Sequence, residues 1–113
     1  MDCIFCKIAK KEIQSKIVLE NEHVLAFRDI DPKAPVHILI IPKKHISSLN
    51  EIMPSDNDII GRLHMAAKEI AKQESLDKSG FRLVLNNGKD AGQAVEHLHY
   101  HLLGGRKLSW PPG

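Results

Sequence analysis

The segment His97-Leu98-His99-Tyr100-His101-Leu102 alternates imidazole with apolar or aromatic side chains. In an extended strand, residues two apart share a face. His97, His99 and His101 are therefore expected on one side, with Leu98, Tyr100 and Leu102 packed on the other. Random placement of this chain's seven histidines would give roughly 0.03 such His-x-His-x-His matches, so chance is a poor account. Two rivals are a solvated polar strand face and a metal site on these three histidines.

Residues 36–41 divide in a similar way. Val36, Ile38 and Ile40 share one face of a β-branched-rich strand, and His37, Leu39 and Ile41 share the other. If the two strands lie in one sheet, His37 joins the histidine row and Leu39 adds an apolar wall. That pairing suits a ligand with a charged end and a flat apolar end. Imidazole can act as nucleophile, acid or base near neutral pH. Asn86, the turn at Gly88, and Gly92 precede the histidine strand and offer donors for phosphate oxygens.

The rest of the chain supplies a frame. Residues 17–19 and 23–28 read as a hairpin around Asn21-Glu22, and residues 29–35 as a loop. Residues 3–8 suit a short helical turn. Residues 55–74 carry apolar residues at helical spacing behind Pro54, with Asp56 and Asp58 in the first turn. Residues 81–85 and 94–103 complete the strands. The expected class is α+β: a five-stranded, mainly antiparallel sheet with one long helix on one face. A length of 113 residues argues for one domain, 1–113, with residues 104–113 an irregular tail.

With 42% hydrophobic residues, a disordered chain is excluded. Sixteen basic residues stand against 14 acidic ones, a net charge of +2. This leaves no electrostatic footprint for a nucleic-acid polymer or an acidic membrane surface. No apolar run approaches the ~20 residues of a membrane-spanning helix. No secretory signal is visible, and Cys3 and Cys6 are the only cysteines. A Cys-x-x-Cys pair in such a chain favours metal or redox chemistry over a structural disulfide, and points to the cytoplasm. Two thiolates at this spacing can share one Zn²⁺ with two further ligands from elsewhere.

The stretch Gln93-Ala94-Val95-Glu96-His97-Leu98-His99-Tyr100-His101 resembles the motif of the histidine triad (HIT) family. Cys3-Ile4-Phe5-Cys6-Lys7-Ile8, Ala26-Phe27-Arg28-Asp29-Ile30 and the run from His37 to His45 are similar to other segments of that family. Leu102-Leu103-Gly104-Gly105-Arg106 and Trp110-Pro111-Pro112-Gly113 look like the ending of its Hint branch, the purine nucleoside phosphoramidases. The resemblance implies that His99 attacks the α-phosphorus of a nucleoside 5′-phosphoramidate, giving a nucleotidyl-histidine that water hydrolyses. It assigns His101 to the phosphate and the leaving group, and His37 beside them. Asp29 matches the ribose-binding acid. Ile4, Phe5, Ile8, Phe27, Ile30 and Leu39 match positions around the purine; Asn86, Gly92 and the Val95 amide match phosphate contacts. It further implies a structural Zn²⁺ on Cys3, Cys6, His45 and His97, and a homodimer with the sheet continued across it. The partner it implies is a purine nucleotide carrying an AMP or GMP moiety.

Other uses of the same residues remain open at this point. Phe27, Ile30 and Leu39 suit an ordinary core, Asp29 a turn, and Asn86 a turn without a ligand. Cys3 and Cys6 suit two buried free thiols. A non-enzymatic purine nucleotide-binding protein, or a small zinc-dependent nucleic-acid module, are the competing functions. Ala94 departs from the family pattern, where many members carry serine, so one hydrogen bond to the phosphate or leaving group is missing.

Overall fold

The computed structural model describes residues 3–113. Its strands are β1 (Ile17–Glu20), β2 (Val24–Arg28), β3 (Val36–Pro42), β4 (Phe81–Leu85) and β5 (Tyr100–Gly104). They form one sheet in the order β1-β2-β3-β5-β4. Every neighbouring pair is antiparallel. The helices are a short α1 (Ile4–Ala9) and a long α2 (Asn57–Gln73). The class is α+β, as expected.

Local chemistry explains the joints. Asn21 closes the β1–β2 hairpin: its Oδ1 accepts from the backbone N–H groups of His23 and Val24, each at 2.9 Å. Pro54 opens a 3₁₀ turn over Pro54–Asp56, so α2 begins two residues later than the pattern suggested. The buried Asp56 carboxylate accepts from Met53 N–H at 3.0 Å and from Lys44 Nζ at 2.7 Å. That pair ties the segment after β3 to the start of α2.

The sheet has two different faces. Leu63, Ala66, Ala67 and Ile70 of α2 pack on Ile38, Ile40, Leu98, Tyr100 and Leu102. Burying each such Leu or Ile contributes about 1.5–3 kcal/mol. The opposite face carries a second cluster, where Cys3, Phe5 and Ile8 of the α1 segment cover Leu25, Phe27, Leu39 and Ile41. The alternation therefore separates the faces as expected in both β3 and the histidine segment.

One expectation is corrected. The last strand begins at Tyr100, not at residue 94, so His97 and His99 precede it. The β3–β5 register pairs Ile40 with Tyr100. Continuing it would set Leu98 against Pro42, which has no N–H to offer. Pairing stops there. Leu98 N–H instead donates to Ile46 O at 2.6 Å, and the Gln93 amide bonds Ser47 O and Val95 O. This irregular run brings residues 93–98 beside residues 45–47, which a continued strand would not have done.

After β5, residues 105–113 hold no helix or strand. Arg82 pins this tail by donating to Ser109 O at 2.9 Å, with Trp110 lying 6.0 Å from its guanidinium. No helix among the described residues is long and apolar enough to cross a membrane. Gly105 sits at φ 90°, and a Cβ there would lie 2.9 Å from Pro35 Cβ. Gly105→Ala is expected to cost about 1–3 kcal/mol, from left-handed strain and overpacking against a rigid ring. A urea midpoint equal to that of the parent chain would contradict this.

Candidate active site and metal centre

Three histidines meet on the face opposite α2. His37 comes from β3 and His101 from β5, adjacent strands in which Leu39 pairs with His101. His37 Nε2 and His101 Nδ1 are 2.9 Å apart. The rings of His99 and His101 lie 5.0 Å apart between centroids. His99 is buried, its ring centroid 5.1 Å from that of Phe5 in an edge-to-face arrangement.

Backbone contacts assign the ring protons. His99 Nδ1 lies 2.7 Å from His97 O, a pure acceptor, so this nitrogen carries the proton and donates. The lone pair of neutral His99 is therefore on Nε2. Lys33 N–H donates to His37 Nδ1 at 3.0 Å, so the His37 proton sits on Nε2 and is donated to His101 Nδ1. The His101 proton is left on Nε2. One ring thus offers a nucleophilic nitrogen and its neighbour a donor.

Burial sets the charge state. It pushes the pKa of His37 down, opposed by the nearby Asp29 carboxylate. It pushes His101 down to about 4, helped by the adjacent His99 and His37. Both rings ordinarily titrate near 6.5. Below that pH the unfolded chain binds protons that the folded chain refuses. The contribution of these rings is therefore fully present above pH 6.5 and is lost as pH falls from 6.5 towards 4. The loss is on the order of 1–3 kcal/mol. Melting temperatures measured through that window should fall with pH, and a rise would contradict the assignment.

Asp29 stands at the edge of this group. Its Oδ1 accepts from Asp31 N–H at 2.8 Å, which makes it a turn former. Its Oδ2 lies 3.4 Å from His37 Nε2. Beyond it opens a cleft of about 920 Å³ between residues 11–17 and 29–35, reaching His37. Lys11, Ile13, Ser15, Ile17, Pro32 and Pro35 add walls that the motif did not mark. Their apolar and turn character gave no signal, because only the folding of residues 11–17 against the loop makes them a wall.

The remaining expected binding residues fall in distinct places. Phe5, Ile8, Phe27 and Leu39 are buried together as the floor of the face. Ile30 is fully exposed beside the cleft, so it is not an ordinary core residue. Ile4 and Val95 border a separate cavity of about 520 Å³ with Cys3, His45 and Ala94. Asn86 follows β4, and Gly92 takes a left-handed conformation at φ 80°. The N–H of Gly88 is spent on Gln93 Oε1 at 2.9 Å, so it is no ligand donor here. Of the two unassigned histidines, His64 bonds Tyr100 Oη at 3.1 Å and His23 lies 3.7 Å from the Glu22 carboxylate.

A second cluster lies next door. Cys3, Cys6, His45 and His97 bring four donor atoms within 4.8 Å of one another. His97 Nδ1 is 3.4 Å from Cys3 Sγ, 3.6 Å from Cys6 Sγ and 3.2 Å from His45 Nδ1. His45 Nδ1 is 3.3 Å from Cys6 Sγ. Tetrahedral Zn²⁺, with bonds of roughly 2.0–2.3 Å, would separate its ligands by about 3.3–3.8 Å. His97 Nε2 lies 2.8 Å from Pro42 O and must be the protonated nitrogen, which turns the Nδ1 lone pair into the cluster. The donor set and its geometry fit a closed tetrahedral cation. In the metal-free cluster, burial and the neighbouring Cys3 push the Cys6 thiol up.

Fold and site together define a class: a small α+β domain with a row of imidazoles on one sheet face beside an open cleft. The chain belongs to the HIT domain family, whose model matches residues 10–108. It is 53% identical over 114 residues to a 14 kDa zinc-binding protein of Brassica juncea, covering 99% of this chain and 100% of that one. It is 52% identical over 112 residues to the adenylylsulfatase HINT1 of Arabidopsis thaliana, covering 97% of this chain and 76% of that one. A HIT family hydrolase from Legionella pneumophila Philadelphia 1 has a matching structure, with a TM-score of 0.98 at 49% identity. That match covers 99% of this chain and 100% of the other.

Proposed function

We propose that this protein hydrolyses purine nucleoside 5′-phosphoramidates to a nucleoside monophosphate and an amine. The observation that carries this reading is the 2.7 Å bond from His99 Nδ1–H to His97 O, which leaves Nε2 as a held lone pair. The hydrolase and adenylylsulfatase names of the similar proteins support cleavage at a nucleotide phosphorus.

His99 Nε2 attacks the α-phosphorus, and the phosphorus–nitrogen bond breaks. The anionic phosphate raises the proton affinity of His101, which takes up a proton from solvent at Nδ1. The imidazolium so formed gives its Nε2 proton to the departing amine. When His101 holds both protons, His37 Nε2–H turns to Asp29 Oδ2, 3.4 Å away. Water then attacks the nucleotidyl-His99, and His101 Nε2 takes the proton. The nucleoside monophosphate leaves, His101 returns its Nδ1 proton to solvent, and both rings are restored.

Ribose hydroxyls bond Asp29, and the purine lies on the apolar wall that includes Ile30, above the floor of Phe5, Ile8, Phe27 and Leu39. Ile4, Asn86, Gly92 and the Val95 amide complete the contacts around base and phosphate. Cys3, Cys6, His45 and His97 would hold a Zn²⁺, which would supply a structural tie between α1 and the segments after β3 and before β5. Two thiols committed to a metal suit a reducing compartment, the cytoplasm.

The sheet continues across a homodimer through β4, an edge strand on which Phe81 is exposed. Light scattering over a dilution series should give twice the chain mass, and a monomer at every concentration would reject the dimer.

The direct test of the reaction offers adenosine and guanosine phosphoramidates with different amines. The expected products are the monophosphate and the free amine, with a nucleotide trapped on His99 by rapid acid quench. Tight nucleotide binding without turnover would instead make this a non-enzymatic nucleotide-binding protein.

A further inference from the structure

His97 belongs to two networks at once. Its ring joins the Cys/His cluster through Nδ1 and is held from behind by Pro42 O at Nε2. Its main-chain carbonyl is the acceptor that keeps the His99 proton on Nδ1. Between them, Leu98 is fixed by its N–H bond to Ile46 O and by burial of its side chain in the α2 core. A turn of the His97 ring therefore has few ways to relax except through the peptide that holds His99.

A second link runs through α1. Cys3 caps this helix, its Sγ accepting from Cys6 N–H at 3.4 Å, and Cys6 lies in its first turn. Phe5 stands between these two thiols in the chain. Its ring meets His99 edge-on at 5.1 Å and His97 at 6.0 Å, and rests on Phe27 at 5.6 Å. Anchoring the two thiols thus also positions the apolar side of His99.

Without a cation the cluster is held only by hydrogen bonds to the lone pair of His97 Nδ1. The His97 proton is committed to Pro42 O, so Nδ1 presents a lone pair to His45 Nδ1 at 3.2 Å. The neighbouring thiols are weak donors. A proton on His45 Nδ1 or on a thiol bridges to that lone pair, but a cation would tie all four donors to one point; its loss leaves the His97 ring and the α1 segment, both linked to His99, less constrained.

We propose that His97 is a positioning residue which makes the alignment of His99 depend on a metal held by Cys3, Cys6, His45 and His97. This rests on the reading of His99 as nucleophile, and the test separates the two. The protein is studied as isolated, after removal of metal by a chelator, and after restoration with Zn²⁺. Long-range proton–nitrogen NMR reads the His99 tautomer, calorimetry reads AMP affinity, and kinetics read kcat and KM.

Metal-loaded protein should show His99 as one Nδ1–H tautomer. Stripping should mix the tautomers and lower kcat about 10–100-fold, the scale of a misaligned reacting group. KM should change less than about threefold, and Zn²⁺ should restore all three readings. Should the stripped chain unfold, Cys6→Ser gives the same readings with one thiolate removed.

A single unchanged tautomer with kcat within about twofold after complete metal loss would overturn the coupling. So would a protein that carries no metal and takes none up. Absence of turnover in loaded protein that still switches tautomer with metal would reject the phosphoramidase reading and leave the coupling standing.

Discussion

His99→Ala should abolish turnover of a nucleoside phosphoramidate. The expected fall in kcat is about 10⁴–10⁶-fold, the range seen when a covalent nucleophile is removed. AMP affinity should change by less than about tenfold, because the ribose and base contacts proposed above lie along the cleft at Asp29 and beyond it. No nucleotide should be trapped on the variant protein. The size of the effect follows from the site: His101 and His37 share one hydrogen bond and His101 accepts from His37 through Nδ1. Neither presents a lone pair backed by a backbone acceptor as His99 does. If the alanine variant turned over at the parent rate, His99 would not be the nucleophile.

The second large effect concerns the cluster. Protein prepared without added zinc should carry about one metal ion per chain, the stoichiometry of a closed four-ligand site. Cys3→Ala/Cys6→Ala should carry none. Loss of a ligand that binds only the folded state removes about 4 kcal/mol when its concentration is 1,000 times Kd. For a domain near this size that corresponds to a fall in melting temperature of about 15–20 °C. The double variant should still fold, because the core between α2 and the sheet contains neither cysteine. Equal and negligible metal in both proteins would remove the zinc site, and would leave a buried Cys3 thiol and a half-buried Cys6 thiol against His97 and His45.

Much of the frame was legible in local pattern. The hairpin turn at Asn21, the start of α2 after Pro54 and the two faces of β3 all rest on neighbours a few residues apart. The same holds for the division between Leu98, Tyr100 and Leu102 and the three histidines. The start of β5 was misjudged for a reason outside that segment, since Pro42 in the partner strand ends the ladder. Asp29 showed how one residue can satisfy two readings, with one oxygen in the turn and the other at His37.

The alternation over residues 97–102 determined that three imidazoles would share a side and that the opposite side would be apolar. It could do so because the two-residue period belongs to the extended backbone itself. Only the tertiary structure decided how those imidazoles are divided. His97 meets His45 across 52 residues and Cys6 across 91, while His101 meets His37 across 64. The proton positions depend on the carbonyls of Pro42 and His97 and the amide of Lys33. Apart from the N–H that proline lacks, backbone groups are the same in every residue, so no sequence pattern marks these acceptors and donors; folding alone selects which of them face a ring.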